Sequence, residues 1–281
     1  MFSKLTTDWF SLNGKGVGET RVYAITDVHG RADLFEAMLT QIKNQATEPF
    51  ELVLLGDYID RGPESLKCLD LARAAGDITG AEHTTILPGN HELMMLDVAH
   101  MREREIRLWI ANGGETLIEE LERKTGTIET YKDLSNALLK FIDPYWLNYE
   151  FDTSKRIGDV LFVHAGISPY DNLEDFLSLP PQNARETAQY AEHWAWIRWS
   201  FLKNEQPWPG DLQTVVHGHT PALTNPLRDP NTLTHNCARP EGLNRVNLDI
   251  GAASHRQAAF GEFKGNQARV HALYEDGGWL P

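Results

Sequence analysis

Three apolar runs in the first third of the chain, RVYAIT (21–26), ELVLLG (51–56) and HTTILPG (83–89), each stop at a polar, glycine-flanked cluster. Each then leads into a helical pattern: from Asp33 to about Asn44, through ESLKCLDLARAAG (64–76), and through ELMMLDVAHM (92–101). The first reads as a short, buried-type strand, and the other two as a second and a third strand. Strand, loop and helix repeated at such spacing make βαβ units with parallel strands. In open sheets of that kind ligands sit beyond the carboxyl ends of the strands, so the polar clusters mark where chemistry is expected.

Residues 102–142 continue as mostly helical sequence, broken by a turn signal at Asn112-Gly113-Gly114. The second half turns to strands: DVLFVHAG (159–166), QTVVHGH (213–219), RVNLDIG (245–251) and ARVHALYED (268–276), joined by proline-rich loops such as SLPPQ (178–182) and NEQPWPG (204–210). No internal repeat and no linker divides the halves. Residues 1–20 read as a loosely held leader, and 21–281 as a single domain with two packed sheets.

Five clusters stand at strand ends: Asp27-Val28-His29-Gly30, Gly56-Asp57-Tyr58-Ile59-Asp60-Arg61-Gly62, Gly89-Asn90-His91-Glu92, His164-Ala165-Gly166 and Gly218-His219-Thr220. Carboxylate, imidazole and amide oxygen together suit a borderline divalent ion such as Mn²⁺, Fe²⁺ or Zn²⁺. A Ca²⁺ cage of oxygens would waste the histidines. One such fragment is as readily a turn with a capping Asp, and a lone strand-end His is more often structural. Five together have no packing explanation, because half-buried Asp and His are costly unless paired or metal-bound.

The charge balance points the same way. With 26 Lys+Arg against 40 Asp+Glu the net charge is −14. Such a surface repels nucleic acid and anionic membrane, and suits a phosphate substrate only where bound cations invert the local field. Two cysteines, Cys68 and Cys237, are too few for a disulfide framework, and no stretch approaches ~18 consecutive apolar residues. A cytoplasmic protein without nucleic-acid or membrane partners is expected; the oligomeric state stays open.

The series DVHG, GDYIDRG, GNHE, HAG, GHT, in this order, resembles the calcineurin-like metallophosphoesterases, and more narrowly the PPP-type serine/threonine protein phosphatases with their bacterial and phage relatives. That resemblance implies a four-layer α/β–β fold, a two-sheet β-sandwich flanked by helices. It implies one metal on Asp27, His29 and Asp57, and a second on Asp57 as bridge with Asn90, His164 and His219. Mn²⁺ is the expected pair, with Fe or Zn as variants and a hydroxide between the ions. His91 matches the family's catalytic histidine, and Asp60 the acid that orients it. Arg61 matches a phosphate-binding arginine, helped by Asn90 and His91; Arg198 resembles a second one on a shorter match. Two cations ~3.5–4 Å apart would clamp the phosphoryl oxygens, and His91 would protonate the leaving alkoxide.

The expected substrate is a phosphoprotein or small phosphomonoester. The enzymatic alternative is a hydrolase of nucleotide polyphosphates like the bis(5'-nucleosyl)-tetraphosphatases. In that branch the acid at the place of Asp60 is often replaced and GNH is followed by Asp; here Asp60 and Glu92 stand. The alternative from another class, a catalytically inactive metal-binding scaffold, loses ligands or the acid His, and none is lost here. Pro221 occupies the place where nuclease-like relatives carry a further His. Trp194, Trp196 and Trp199 read as core rather than as a stacking wall, and Cys68 as core. His217 reads as structural or as support for the ligands, and His255 has no assigned place. His83, His100, His193, His235 and His271, which lack clustered partners in the sequence, read as surface or structural.

Overall fold

The computed structural model describes residues 2–181, 192–222, 229–238 and 244–275. Its strands are β1 (Phe2–Thr6), β2 (Phe10–Ser11), β3 (Arg21–Ile25), β4 (Phe50–Leu54), β5 (His83–Ile86), β6 (Ser154–Ile157), β7 (Val160–Val163), β8 (Thr214–His217), β9 (Asn244–Asn247), β10 (Gln257–Lys264) and β11 (Gln267–Glu275). The larger sheet runs β1-β11-β10-β3-β4-β5, with β2 also paired to β11; the smaller runs β6-β7-β8-β9. Helices α1 (Ala32–Gln45) and α2 (Ser65–Thr79) are the crossovers that make β3, β4 and β5 parallel, and α3 (Asn90–Ala99) follows β5. Then come α4 (Ile106–Ala111), α5 (Glu115–Thr125) and α6 (Tyr131–Phe141), and later α7 (Leu173–Leu177), α8 (Trp199–Leu202), α9 (Pro230–Cys237) and α10 (Ala252–His255). No helix among the described residues is long and apolar enough to cross a membrane.

Side-chain alternation builds the layers. Tyr23, Ile25, Leu52 and Leu54 face the helices α1 to α6, whereas Val22, Ala24, Val53 and Leu55 face the smaller sheet. There they meet Val160, Phe162, Val216 and Val246, and Phe162 packs edge-on against Phe263 at 5.4 Å. Leu161, Val163 and Val215 point outward to a third cluster with Trp194, Ile197 and Phe201. Helices, sheet, sheet and helices form the expected four layers. Both faces of β3 and β4 are covered, which is why those runs are continuously apolar.

The expectation for the N-terminus is overturned. Phe2–Thr6 pairs with β11 in register from Phe2↔Glu275 to Thr6↔His271, and Leu12 and Val17 are buried. No alternating pattern announces this edge strand, and its partner lies more than 260 residues away. Strand β10 also went unread: QAAFGEFK carries no turn signal before it, yet it joins β3 to β11.

At the sheet end away from the polar clusters, Glu262 is fully buried. It is held by Arg21, by Arg269 at 2.7 Å and by His271 Nε2 at 2.9 Å, while His271 Nδ1 meets Thr6 Oγ1 at 3.0 Å. So His271 does have a partner that sequence proximity hides. Burial alone would raise the Glu262 carboxyl, but the hydrogen bonds from His271 and Arg269 outweigh it and hold the group at about 2 instead of the ordinary 4.5. A depressed acid stabilises the fold above its unfolded value and loses that contribution as pH falls through the folded one. Glu262→Gln is therefore expected to cost about 3 kcal/mol at pH 7. In urea melts the gap from the parent should close between pH 4.5 and 2; a gap that stays constant would refute the assignment.

Candidate active site

Each cluster sits where a strand ends and the backbone turns abruptly. Asp27, His29, Asp57, Asp60, Arg61 and His219 all have positive φ, between 44° and 70°. Non-glycine residues adopt this left-handed conformation seldom, at roughly 1–3 kcal/mol each, and such strain gathers at functional sites. It curls the loops so that side chains from different strands point at one another. The loops are stitched together by Asp27 N–H to Gly56 O and His29 N–H to Asp57 O, both 3.0 Å. Two glycines permit the close approach. A Cβ on Gly218 would lie 1.9 Å from Asp27 Oδ2, and one on Gly89 would lie 2.1 Å from Asp57 Oδ1.

The result is two overlapping groups of potential ligands, His29–Asp57–His91 and Asp57–His164–His219, with ligand atoms in each within 4.8 Å of one another. Asp57 belongs to both: Oδ2 is 3.6 Å from His29 Nε2 and Oδ1 is 3.4 Å from His164 Nε2. Asn90 Oδ1 lies 3.1 Å from His164 Nε2 and 2.8 Å from His219 Nδ1. Asp27 joins from the side, its carboxylate accepting the His219 N–H at 3.0 Å. Of the six residues expected as ligands, His29, Asp57, His164 and His219 fall in these groups and Asn90 joins them, whereas Asp27 lies outside both groups, beside the His219 amide; all six are buried. The imidazoles are oriented for the task. His29 Nδ1 lies 2.9 Å from Ile59 O and His164 Nδ1 lies 2.8 Å from Leu55 O. With Nδ1 donating to a carbonyl, each Nε2 keeps its lone pair, the arrangement usual for a metal-bound histidine.

The other four candidates surround this core. His91 Nδ1 is 2.7 Å from Asp60 Oδ2, with both residues fully buried. Arg61 reaches from the exposed rim, Nη1 at 2.7 Å from His29 Nε2 and Nη2 at 3.0 Å from His91 Nε2. Arg198, also exposed, donates from Nε to His219 Nε2 at 2.9 Å. Two guanidiniums at the mouth of a buried ligand cluster are placed to grip an anion there.

The electrostatics of the cluster suit a bound cation. Burial raises Asp27, Asp57 and Asp60 well above the usual carboxylate range, with repulsion from neighbouring acids, Asp249 on Asp27 and Glu92 on Asp57 and Asp60, adding to it. Burial also pushes His29 and His219 well down, and His164 to about 3, so the imidazoles read as ligands are neutral; burial lowers His91 as well. Crowded acids among neutral imidazoles call for added positive charge, and deprotonated carboxylate with neutral imidazole is the state that binds divalent metal.

The family model for calcineurin-like phosphoesterases matches residues 20–255. The chain belongs to that family. Among curated relatives, serine/threonine-protein phosphatase 1 of Salmonella typhimurium is 35% identical over 96 residues, 34% of this chain and 39% of the relative. The symmetrical bis(5'-nucleosyl)-tetraphosphatase of Delftia acidovorans is 31% identical over 162 residues, 56% of this chain and 48% of the relative. The chain thus spans less than half the length of either relative. Among solved structures, the cold-active protein-tyrosine phosphatase of a psychrophilic Shewanella species superposes with a TM-score of 0.52 at 20% identity, over 90% of this chain and 78% of that one. That likeness supports the fold. The family is one of metal-dependent phosphoesterases, and the His/Asp groups above are where this chain could hold metal.

Several surrounding residues differ from their sequence reading. Trp194 is buried core, but Trp199 is 71% exposed beside Arg198, at the rim of a cleft of about 1,100 Å³ that also takes in Thr220, Arg245 and Asn247. Glu92, which in the sequence separates the two enzymatic branches, is a buried clamp. Its carboxylate accepts N–H groups of Gly89, Asp57, Tyr58 and Ile59 at 2.8 to 3.3 Å, fixing the loop that carries Asp57. The glutamate three residues into a helix was the available signal. Asp249, beyond β9, is buried, pushed up by burial to about 6, and its charge is felt by Asp27 and Asp57. His217 is buried with Nδ1 3.0 Å from Gly218 O, a structural placement.

Proposed function

We propose that this phosphoesterase hydrolyses phosphomonoesters with two metal ions, acting on phosphoserine and phosphothreonine in proteins. The observation that carries the reading is the Asp60–His91 pair, buried at 2.7 Å with His91 Nε2 facing Arg61 across 3.0 Å. An alkoxide such as serine is a poor leaving group and needs a proton. A polyphosphate leaves as a stabilised anion and needs that acid less.

In this reading Asp27, His29 and Asp57 would hold one ion, and Asp57, Asn90, His164 and His219 the other, with Mn²⁺ the proposed metal. Two cations bound there would supply hydroxide at neutral pH and offset the charge of the phosphoryl group. Arg61 and Arg198 hold the phosphoryl oxygens, with Asn90 and His91 alongside. His91 gives its Nε2 proton to the departing oxygen, and Asp60 stabilises the imidazolium that precedes it. We place the protein in the cytoplasm, a reading supported by Cys68 and Cys237, both buried and free.

A second reading draws support from the relatives, several of which are named symmetrical bis(5'-nucleosyl)-tetraphosphatases. With Mn²⁺ present, we expect kcat/KM for a phosphoserine peptide to exceed that for diadenosine tetraphosphate by at least about tenfold, roughly 1.4 kcal/mol in barrier. The reverse ranking would select the second reading and leave the metal site untouched. No turnover of nitrophenyl phosphate, a phosphopeptide or the tetraphosphate would mean an inactive scaffold.

A further inference from the structure

The turn Asn112-Gly113-Gly114 and the helix before it reach into the active site, although neither belongs to the groups of potential metal ligands. Trp109, in α4 and fully buried, donates its indole N–H to Asp60 Oδ2 at 2.7 Å. That is the same oxygen His91 uses, while Asp60 Oδ1 has no hydrogen-bond partner among the described residues. The carboxylate plane is thus held by two donors converging on one atom. A few residues on, Gly113 O accepts the Arg61 N–H at 3.0 Å and Asn112 O accepts Arg61 Nε at 3.2 Å. Gly113, at φ +105°, leaves no room for a Cβ, which would lie 2.6 Å from Arg61 Cγ; a Cβ on Gly114 would meet the Trp109 ring at 2.7 Å.

We propose that Trp109 is a positioning residue for proton transfer: its indole N–H orients Asp60, and through Asp60 the imidazole of His91, from a turn that also anchors the backbone and Nε of Arg61. Trp109 touches neither substrate nor metal ligands in this scheme, and the scheme rests on His91 being the general acid. Its physical basis is the strength of a buried hydrogen bond to a charged acceptor, about twice that of a neutral pair. Without the indole donor, Asp60 is tied by one bond and can rotate, and the imidazole no longer points its proton at the leaving oxygen.

Trp109→Phe keeps a ring in place and deletes the donor. Site-specific replacement by benzothienylalanine, whose sulfur stands where the N–H was, keeps the full bicyclic shape should the Phe variant fold poorly. Both proteins are compared with the parent on an alkyl phosphate, a phosphoserine peptide and nitrophenyl phosphate, with metal content and melting temperature measured on the same samples. The expected result is a roughly tenfold fall in kcat on the alkyl and seryl substrates, at least threefold greater than the fall on nitrophenyl phosphate, with metal content unchanged. In an Asp60→Asn background the Trp109 replacement should add little, because both act along one path. An equal fall on good and poor leaving groups, or losses that multiply with Asp60→Asn, would overturn the proposal. If His91→Asn itself showed no dependence on leaving group, the general-acid reading would fail first; if His91→Asn showed it and the Trp109 variants did not, the failure would belong to Trp109 alone.

Discussion

Asp57→Asn is expected to empty both metal positions and lower kcat/KM by roughly 10³-fold or more, since bound cations supply several kcal/mol of charge stabilisation in such reactions. Asp57 is the one carboxylate shared by both ligand groups, 3.6 Å from His29 Nε2 and 3.4 Å from His164 Nε2. An amide offers one weak oxygen in place of two charged ones, so neither ion retains its full set of donors. The fold should survive the change. In the metal-free protein, burial and the nearby Glu92 charge push the Asp57 carboxyl well above its ordinary range. An acid raised in the folded state costs stability at every pH above its unfolded value, so a neutral replacement removes that cost. With metals stripped, the variant should melt at or above the parent's temperature. Metal analysis finding two tightly held ions alongside full turnover would sink the bridging role.

His91→Asn is expected to lower kcat by roughly 10²–10⁴, the usual contribution of a positioned acid. Metal content should hardly change, because His91 Nδ1 is engaged by Asp60 at 2.7 Å and its Nε2 faces Arg61 at the mouth. The loss should shrink on nitrophenyl phosphate, whose leaving group departs without a proton. Loss of one metal ion in the variant would instead assign His91 as a ligand, which its grouping with His29 and Asp57 makes a concrete outcome to measure. Asp60→Asn should be a milder version of the same lesion, since it acts through the imidazole.

The reach of the sequence is clearest in the ligands themselves. Asp27, Asp57 and Asn90 each follow an apolar run of four to six residues, and position at the end of a parallel strand is enough to bring them to one edge of the sheet. His164 and His219 are legible for the same reason on the second sheet. Motif order then assigned roles to His91, Asp60, Arg61 and Arg198 through resemblance, and the geometry brings all four to the cluster.

What escaped the sequence shares a different character. Trp109 looks like an ordinary apolar residue in a short helix, and its indole N–H matters only because folding brings it 2.7 Å from Asp60. Glu92 looks like a helix-start acid until its four backbone partners are counted in space. Trp199, read as core from its neighbours Trp194 and Trp196, is exposed because α8 turns its face outward beside Arg198.

The sequence by itself determined the residue types, the strand ends that carry them and a plan of two packed sheets, because hydrophobic periodicity and turn residues act on near neighbours; the four layers were implied by the family resemblance. Only the tertiary structure decided the pairings across long separations: β1 on β11, Glu262 with Arg21, and the His219 amide on Asp27. Those contacts join residues that in most cases lie some two hundred positions apart. Closing such loops costs entropy that no local pattern repays, so the pairings are selected by the packing of the whole core, and no short segment of the chain records them.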